Sequence, residues 1–337
     1  MKQPVHYMGV GIMRETSPCC NHCRFCSVGQ KTFHNIPFDR YERIVERFLT
    51  WKAEKSLDNF LVSPIQMYTY ATMPVKQLVR RFRLCELGGY TPLPLQMNGL
   101  IFMPEDQLRD CLLEKKEAGF TKISLSFAGM GNFHDTWVGR RGEYKFLLAI
   151  AKIAADIGLE RLEKLFLTQS TIPQLEPLMD VLNDISGTVE RQILPLVYFG
   201  WAKNLENERI TQEMLEQLPE QISKYAMVEN LKTEQQWIYL LRNGYQDESL
   251  NNKHLMLKLR EDNIDKLEQE SCDEIITGLK AKYDRVHTAL PEMREMVGMY
   301  GESSNLRLYM LSELEKKWTE RYLKDNPQIN MADYLLG

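Results

Sequence analysis

Residues 17–29 read Ser-Pro-Cys-Cys-Asn-His-Cys-Arg-Phe-Cys-Ser-Val-Gly and contain four of the seven cysteines of the chain. Cys19, Cys23 and Cys26 have the spacing C-x₃-C-x₂-C. Three thiolates on one short loop can hold three irons of a cubane cluster and leave the fourth iron without a protein ligand. An open iron can bind a substrate or cofactor directly, whereas four protein ligands favour a structural or electron-transfer role.

The same cysteines could instead form a zinc site, with Cys20 or His22 as the fourth ligand, or a non-enzymatic iron–sulfur electron-transfer module. Zinc ribbons usually divide their ligands between two separate C-x₂-C knuckles, and the sequence has no second knuckle. Cys20 directly follows Cys19, and adjacent side chains point apart. We therefore expect Cys20 to be a bystander.

Outward from this loop, short apolar strands alternate with amphipathic helices over the first two hundred residues. Such alternation predicts repeated βαβ units and a parallel sheet, which either stays open or curls into a full or partial barrel. Reactive groups are then expected in the loops beyond the strand C-termini. The strands are predicted near residues 5–12, 60–68, 94–97, 122–127, 164–168 and 193–199, and the helices near residues 38–55, 74–86, 104–118, 143–157 and 172–185.

Charged helical patterns dominate after residue 204. We therefore predict two parts, a core over residues 1–204 and a helical C-terminal region over residues 205–337 that forms a possible lid over the barrel mouth. The second part contains only Cys272, so it cannot ligate a second cubane cluster.

The composition sets the broad class. The chain has 337 residues, 44% of them hydrophobic and 26% charged, with a net charge of −4. These values are ordinary for a globular protein and give no pull toward nucleic acid or anionic lipid. No run of eighteen apolar residues occurs, and the first ten residues lack the features of a signal peptide. We expect a cytoplasmic protein with neither nucleic acid nor a membrane as a partner.

With Phe25 directly before Cys26, the loop resembles the C-x₃-C-x-(aromatic)-C signature of the radical S-adenosylmethionine (SAM) superfamily. The resemblance implies a [4Fe-4S] cluster bound by the three cysteines, with SAM on the open iron. It implies reductive cleavage of SAM to a 5′-deoxyadenosyl radical that abstracts hydrogen from a substrate. It further implies a partial (β/α)₆ barrel and a one-electron donor such as flavodoxin or ferredoxin.

The resemblance covers roughly residues 5–204. Residues 124–135 look like the S-L-D-G…H-D segment of the peptide- and protein-modifying branches. Residues 97–99 look like their T-N-G segment, and residues 200–204 resemble G-R-A-K-N. The sequence departs from the pattern at residues 67–69, where Met-Tyr-Thr replaces G-G-E. Val138 replaces an expected arginine, so Arg140 or Arg141 would have to meet the cofactor carboxylate.

Strand ends and the resemblance together give the predicted site. His134 and Asp135 are expected to order their loop rather than to transfer protons.

The substrate is expected to be a peptide, and a small metabolite is the alternative. If the reaction is an epimerisation, a thiol should return the hydrogen, and we choose Cys272 over Cys85 and Cys111. The predicted cofactor-binding residues are Phe25, Tyr68, Thr69, Asn98, Ser126, Arg140 and Gln169.

Overall fold

The computed structural model describes residues 5–14, 19–27, 36–66, 71 and 73–329. Strands and helices alternate along the first half of the chain, as predicted. The strands are β1 (His6–Arg14), β2 (Leu61–Gln66), β3 (Leu95–Gln96), β4 (Lys122–Phe127), β5 (Glu160–Leu167), β6 (Val189–Pro195), β7 (Lys232–Thr233), β8 (Asn252–Leu259) and β9 (Leu308–Tyr309). The helices are α1 (Phe38–Glu54), α2 (Val75–Leu87), α3 (Glu105–Glu117), α4 (Gly131–Val138), α5 (Glu143–Asp156), α6 (Ile172–Asn183), α7 (Gln212–Glu216), α8 (Glu220–Ser223), α9 (Glu234–Arg242), α10 (Ile264–Gln269), α11 (Cys272–Ala289), α12 (Met293–Tyr300) and α13 (Leu311–Asp325).

The six predicted strands are present, and every ladder among them is parallel, as the sequence predicted. They form two sheets rather than one. The strand orders are β2-β1-β8 and β3-β4-β5-β6, and the described residues form no ladder between β2 and β3. The architecture is a mixed α/β fold with parallel sheets, and helices cover one face of each sheet.

Strand β8 was not predicted and lies in a C-terminal region that is otherwise largely helical. It lies well beyond residue 204, yet it pairs in parallel with β1 from His6↔Asn252 to Arg14↔Leu259. The strand that leads into the cysteine loop is therefore an interior strand, with β2 on one side and β8 on the other. The division of the chain at residue 204 remains a prediction.

The inner and outer faces of the second sheet follow from alternation along its strands. In β4, Ile123, Leu125 and Phe127 pack into the core that the helices share. Ser124 and Ser126 consequently face the opposite, inner side of the sheet. These two serines make the inner face polar below the strand ends.

Strand β5 follows the same alternation. Leu165 and Leu167 lie in the helix-side core, so Lys164 and Phe166 face inward. The ladders pair Lys164 with Ser126 on one side and with Gln192 on the other. A polar row therefore crosses three strands of the inner face, one pleat below Phe166.

The C-terminal helices form a separate apolar cluster. Trp318 of α13 is fully buried, and Trp237 of α9 and Val297 of α12 pack in the same cluster. The described helices include none that is long and apolar enough to cross a membrane.

Candidate metal centre

The cysteine loop, defined here as residues 19–27, contacts the segment that follows β3. The amide of Cys20 donates to the carbonyl of Gly99 at 2.9 Å. Gly99 has a φ of +74°, and a Cβ at this position would lie 2.3 Å from Cys19 Sγ. Glycine is therefore required here both for its backbone conformation and for the close approach of the sulfur.

A second contact joins the loop to the end of α4, which follows β4. The amides of His22 and Arg24 donate to the carbonyls of Val138 and Trp137 at 2.8 and 2.9 Å. The helix ends at Gly139 in the left-handed conformation, where a Cβ would lie 2.7 Å from the His22 carbonyl oxygen. This glycine terminates the helix and admits the loop at the same time.

A third contact joins the loop to the segment that follows β6. The amide of Trp201 donates to the Cys26 carbonyl at 2.8 Å. Gly200, with a φ of +52°, would place a Cβ 2.4 Å from the same oxygen. All three contacts come from segments beyond strand C-termini, so the cysteine loop lies at the carboxyl end of the parallel strands, as predicted.

Phe25 points from the loop toward the inner face of the second sheet. Its ring centroid lies 4.0 Å from that of Phe166 and 6.0 Å from that of Trp137. Phe166 is an inward-facing residue near the end of β5. The aromatic residue of the motif therefore fixes the loop over the strand ends by packing rather than by a polar contact.

Glu143 was not predicted as a site residue. Its side chain is fully buried. Oε1 accepts hydrogen bonds from Asn21 Nδ2 and from the amide of Gly99, both at 2.9 Å. Oε2 pairs with Arg140 Nη1 at 3.0 Å. One carboxylate thus connects the cysteine loop, the segment after β3 and the start of α5. Only the three-dimensional arrangement reveals this role.

His134 and Asp135 order the loop after β4. His134 Nδ1 accepts a hydrogen bond from the amide of Ala128 at 3.0 Å, and burial lowers the pKa of His134 to about 4. Asp135 accepts hydrogen bonds from the amides of Gly142 and Tyr144. Both side chains thus bind backbone, as the sequence predicted, and His134 is neutral near pH 7.

Among the predicted cofactor ligands, Asn98 and Ser126 lie side by side on neighbouring strand ends. Asn98 Oδ1 accepts from the amide of Ser126, and Asn98 Nδ2 donates to the Ser126 carbonyl, both at 2.7 Å. The Asn98 amide therefore joins the end of β3 to β4. The Ser126 side chain lies on the inner face, in the row with Lys164.

Arg140 lies beneath the segment after β3 rather than in the open mouth. It donates to the Leu100 carbonyl, and its guanidinium carbon is 3.5 Å from the Phe102 ring centroid. Gln169 is exposed beyond β5, and its amide donates to the Glu208 carbonyl at 2.9 Å. Tyr68 and Thr69 lie outside the described residues.

Cys272 does not join the other site residues. It is 7% exposed and belongs to a core cluster that also contains Val10, Leu257 and Ile275. Val10 of β1 and Leu257 of β8 face the helices. Alternation along the two strands places Gly11 and Met256 together on the opposite, inner face of the sheet. Cys272 is thus on the helix-covered side of the sheet, and its position does not support the predicted role of hydrogen donor.

The donor set of the cysteine loop fits an iron–sulfur cluster in kind and in position. Cys19, Cys23 and Cys26 are only partly buried, and Gly99 leaves room for the Cys19 sulfur. In the described residues no three His, Cys, Asp or Glu side chains are already grouped around one point. The three thiols would therefore have to converge as a cluster binds, which is usual when metal binding and local folding are coupled.

Comparison with known proteins gives structural relatives only. No protein-family profile and no curated protein matches the chain. Similar solved structures include Streptococcus suis SuiB bound to the precursor peptide SuiA, with 16% identity and a TM-score of 0.41 over 66% of this chain and 47% of SuiB. The chain thus spans about half the length of SuiB.

Two further structures have comparable similarity. Escherichia coli HemN, a coproporphyrinogen III oxidase described as a radical SAM enzyme, has 13% identity and a TM-score of 0.39 over 75% of this chain and 64% of its own. Native anSMEcpe with bound AdoMet has 16% identity and a TM-score of 0.36 over 56% of this chain and 52% of its own. At such scores these structures carry no argument about activity.

Proposed function

We propose that the protein is a radical SAM enzyme whose Cys19, Cys23 and Cys26 bind a [4Fe-4S] cluster. The observation that carries this proposal is the position of the cysteine loop, which three glycine contacts hold at the carboxyl end of the parallel strands. When bound, cluster and SAM together supply a 5′-deoxyadenosyl radical. Cys20 is expected to remain outside the ligand set, because adjacent side chains point apart and it is the Cys19 sulfur that lies against Gly99.

The residues of the chain position and shield this chemistry. Phe25 packs on Phe166 and closes the apolar side of the loop. Ser126, Lys164 and Gln192 form the polar row on the inner face, within reach of groups that enter the mouth. The reducing electron is proposed to come from flavodoxin or ferredoxin. A reducing compartment such as the cytoplasm suits cysteine ligands that are only partly buried.

The decisive experiment is anaerobic reconstitution followed by reduction in the presence of SAM. We expect about four irons per chain, together with release of 5′-deoxyadenosine and methionine. Alanine at Cys19, Cys23 or Cys26 should abolish both results, and Cys20→Ala should retain them. One tightly bound zinc per chain and no cleavage of SAM would instead establish the zinc-binding alternative.

We further propose a peptide as substrate, with a small metabolite as the second candidate. Trp201, which follows the end of β6, is 37% exposed and offers an apolar surface to a peptide. The Phe199 ring is instead covered by Lys316 of α13, whose Nζ lies 3.4 Å from its centroid. This cover narrows the mouth on the β6 side and favours the small-metabolite candidate.

A labelling experiment separates the two substrate classes. The reduced enzyme is incubated with SAM and a fully deuterated bacterial extract, divided by size into a peptide fraction and a small-molecule fraction. Deuterium enters 5′-deoxyadenosine only from a substrate that donates hydrogen. Label from the peptide fraction alone would support a peptide substrate, and label from the small-molecule fraction alone would reject it.

A further inference from the structure

We propose that α13 positions the cysteine loop, and that Glu313 is the residue through which it acts. The inference rests on the proposed function only in taking the cysteine loop as the metal-binding loop. It assigns the C-terminal region a role in metal retention that is separate from covering the mouth.

Glu313 holds the segment that follows β6. Its side chain is 6% exposed, and both of its oxygens are used. Oε1 accepts a hydrogen bond from the amide of Tyr198. Oε2 accepts from Arg209 Nη2 and from the amide of Met310, both at 2.8 Å. Only a carboxylate can accept on both atoms in this way, because an amide replaces one acceptor by a donor.

The segment held by Glu313 is the one that contacts the cysteine loop. Gly200 and Trp201 lie two and three residues after Tyr198, and both contact the Cys26 carbonyl. A shift of the segment would break the Trp201 hydrogen bond. It would also move the Gly200 backbone, which leaves no space for even a Cβ at this contact. Helix α13 therefore positions Cys26 indirectly. Glu313 holds the segment after β6, and that segment contacts the Cys26 carbonyl.

Helix α13 is itself firmly anchored, which a positioning element requires. Lys317 is 1% exposed and pairs with Glu206 at 2.6 Å and with Glu234 at 3.3 Å. Trp318 Nε1 donates to the other oxygen of Glu234 at 3.0 Å. A buried network of this kind fixes one geometry, since each charge has several partners.

The helix also reaches the other sheet. Glu315 pairs with Lys253 of β8 at 3.1 Å. Strand β8 is an edge of the first sheet, and β6 is an edge of the second. This ion pair anchors α13 to the edge of the first sheet, whereas Glu313 binds the segment after β6.

The test compares Glu313→Gln with Glu315→Gln in the reconstituted holoprotein. Both variants make the same isosteric change on one helix, but only the first faces the segment after β6. The measurements are the rate of iron release to an anaerobic chelator and the melting temperature of the metal-free protein. We expect release to be about tenfold faster in Glu313→Gln and within about twofold of wild type in Glu315→Gln, at similar melting temperatures.

A wild-type release rate in Glu313→Gln, or equal acceleration in both variants that follows their melting temperatures, would overturn the proposal. Gly200→Ala provides a second route if Glu313→Gln does not fold. It acts at the Cys26 contact without touching α13 and should give the same fast release. If the wild-type protein proves to bind zinc, the proposed function fails, but zinc release in the same variants still decides the role of α13.

Discussion

Replacing Gly99 by alanine should remove the cluster with little further damage. The new Cβ would lie 2.3 Å from Cys19 Sγ. Non-bonded heavy atoms normally keep about 3.5–4 Å apart, so the sulfur must move by about 1.2–1.7 Å. Metal–ligand distances tolerate only about 0.2 Å. A displacement of this size would therefore hinder the convergence of Cys19 with Cys23 and Cys26 on one cluster.

The positive φ of Gly99 adds a separate cost of about 1–2 kcal/mol for any L-residue. Alanine substitutions at two other glycines measure this conformational cost separately. Gly158 has the same φ of +74° with only the tip of Lys116 within reach, and Gly119 has a φ of +94° with nothing within 4 Å of a Cβ. Alanine at either position pays the backbone cost without meeting a ligand.

The assay is iron per chain after anaerobic reconstitution, together with the melting temperature of the metal-free protein. All three variants should melt a few degrees below wild type. Only Gly99→Ala should fall below about one iron per chain, from the about four expected of a cubane cluster. A Gly99→Ala protein that keeps the wild-type iron content would refute the reasoning about this contact.

Three more predictions concern the buried side chains of Glu143, His134 and Cys272. Glu143→Gln should lower the free energy of unfolding by about 1–3 kcal/mol and speed iron release, because one amide cannot satisfy both Gly99 and Arg140; chemical denaturation beside the exposed control Glu105→Gln checks this, and equal values in the two variants would contradict it. The lowered pKa of His134, about 4 against 6.5, means that the unfolded state binds a proton that the folded state excludes. Stability should therefore fall between pH 6.5 and 4, and less so in His134→Asn, as urea titrations at several pH values would show. Cys272→Ala should cost about 1 kcal/mol through lost packing and leave solvent deuterium labelling of any product unchanged; altered labelling would restore the thiol as hydrogen donor.

The sequence predicted the alternation of strands and helices because β1, β2 and β4 are apolar runs between turn residues. It placed β5 and β6 about four residues late, near 164–168 and 193–199, whereas they begin at Glu160 and Val189. The early residues of these strands are charged. Arg161 and Glu163 are fully buried and pair with each other, and Glu163 also pairs with Arg191. A pattern of charges cannot distinguish a buried network from a solvated surface.

At the candidate site, too, local sequence patterns do not reveal contacts between distant parts of the chain. Local spacing was enough to propose Cys19, Cys23 and Cys26 as metal ligands, since the loop itself contains the whole signal. The contacts of Gly99, Gly139 and Gly200 with that loop depend on residues 80 to 174 positions away, and no local pattern reveals them. Glu143 was missed for this reason, and strand β8 was missed because it is an isolated strand among charged helices.

The position of β8 beside β1 has a consequence for biosynthesis. Strand β1 needs a neighbour whose last residue, Leu259, is synthesised some 245 residues later than Arg14, its partner in the ladder. Pairing over so long a separation is slow and cannot precede the synthesis of the partner. Residues up to Leu259 must therefore have left the ribosome before β1, and the cysteine loop after it, has its final support. We expect the cluster to be inserted only after that point, and the cysteines of the loop to need protection from oxidation until then.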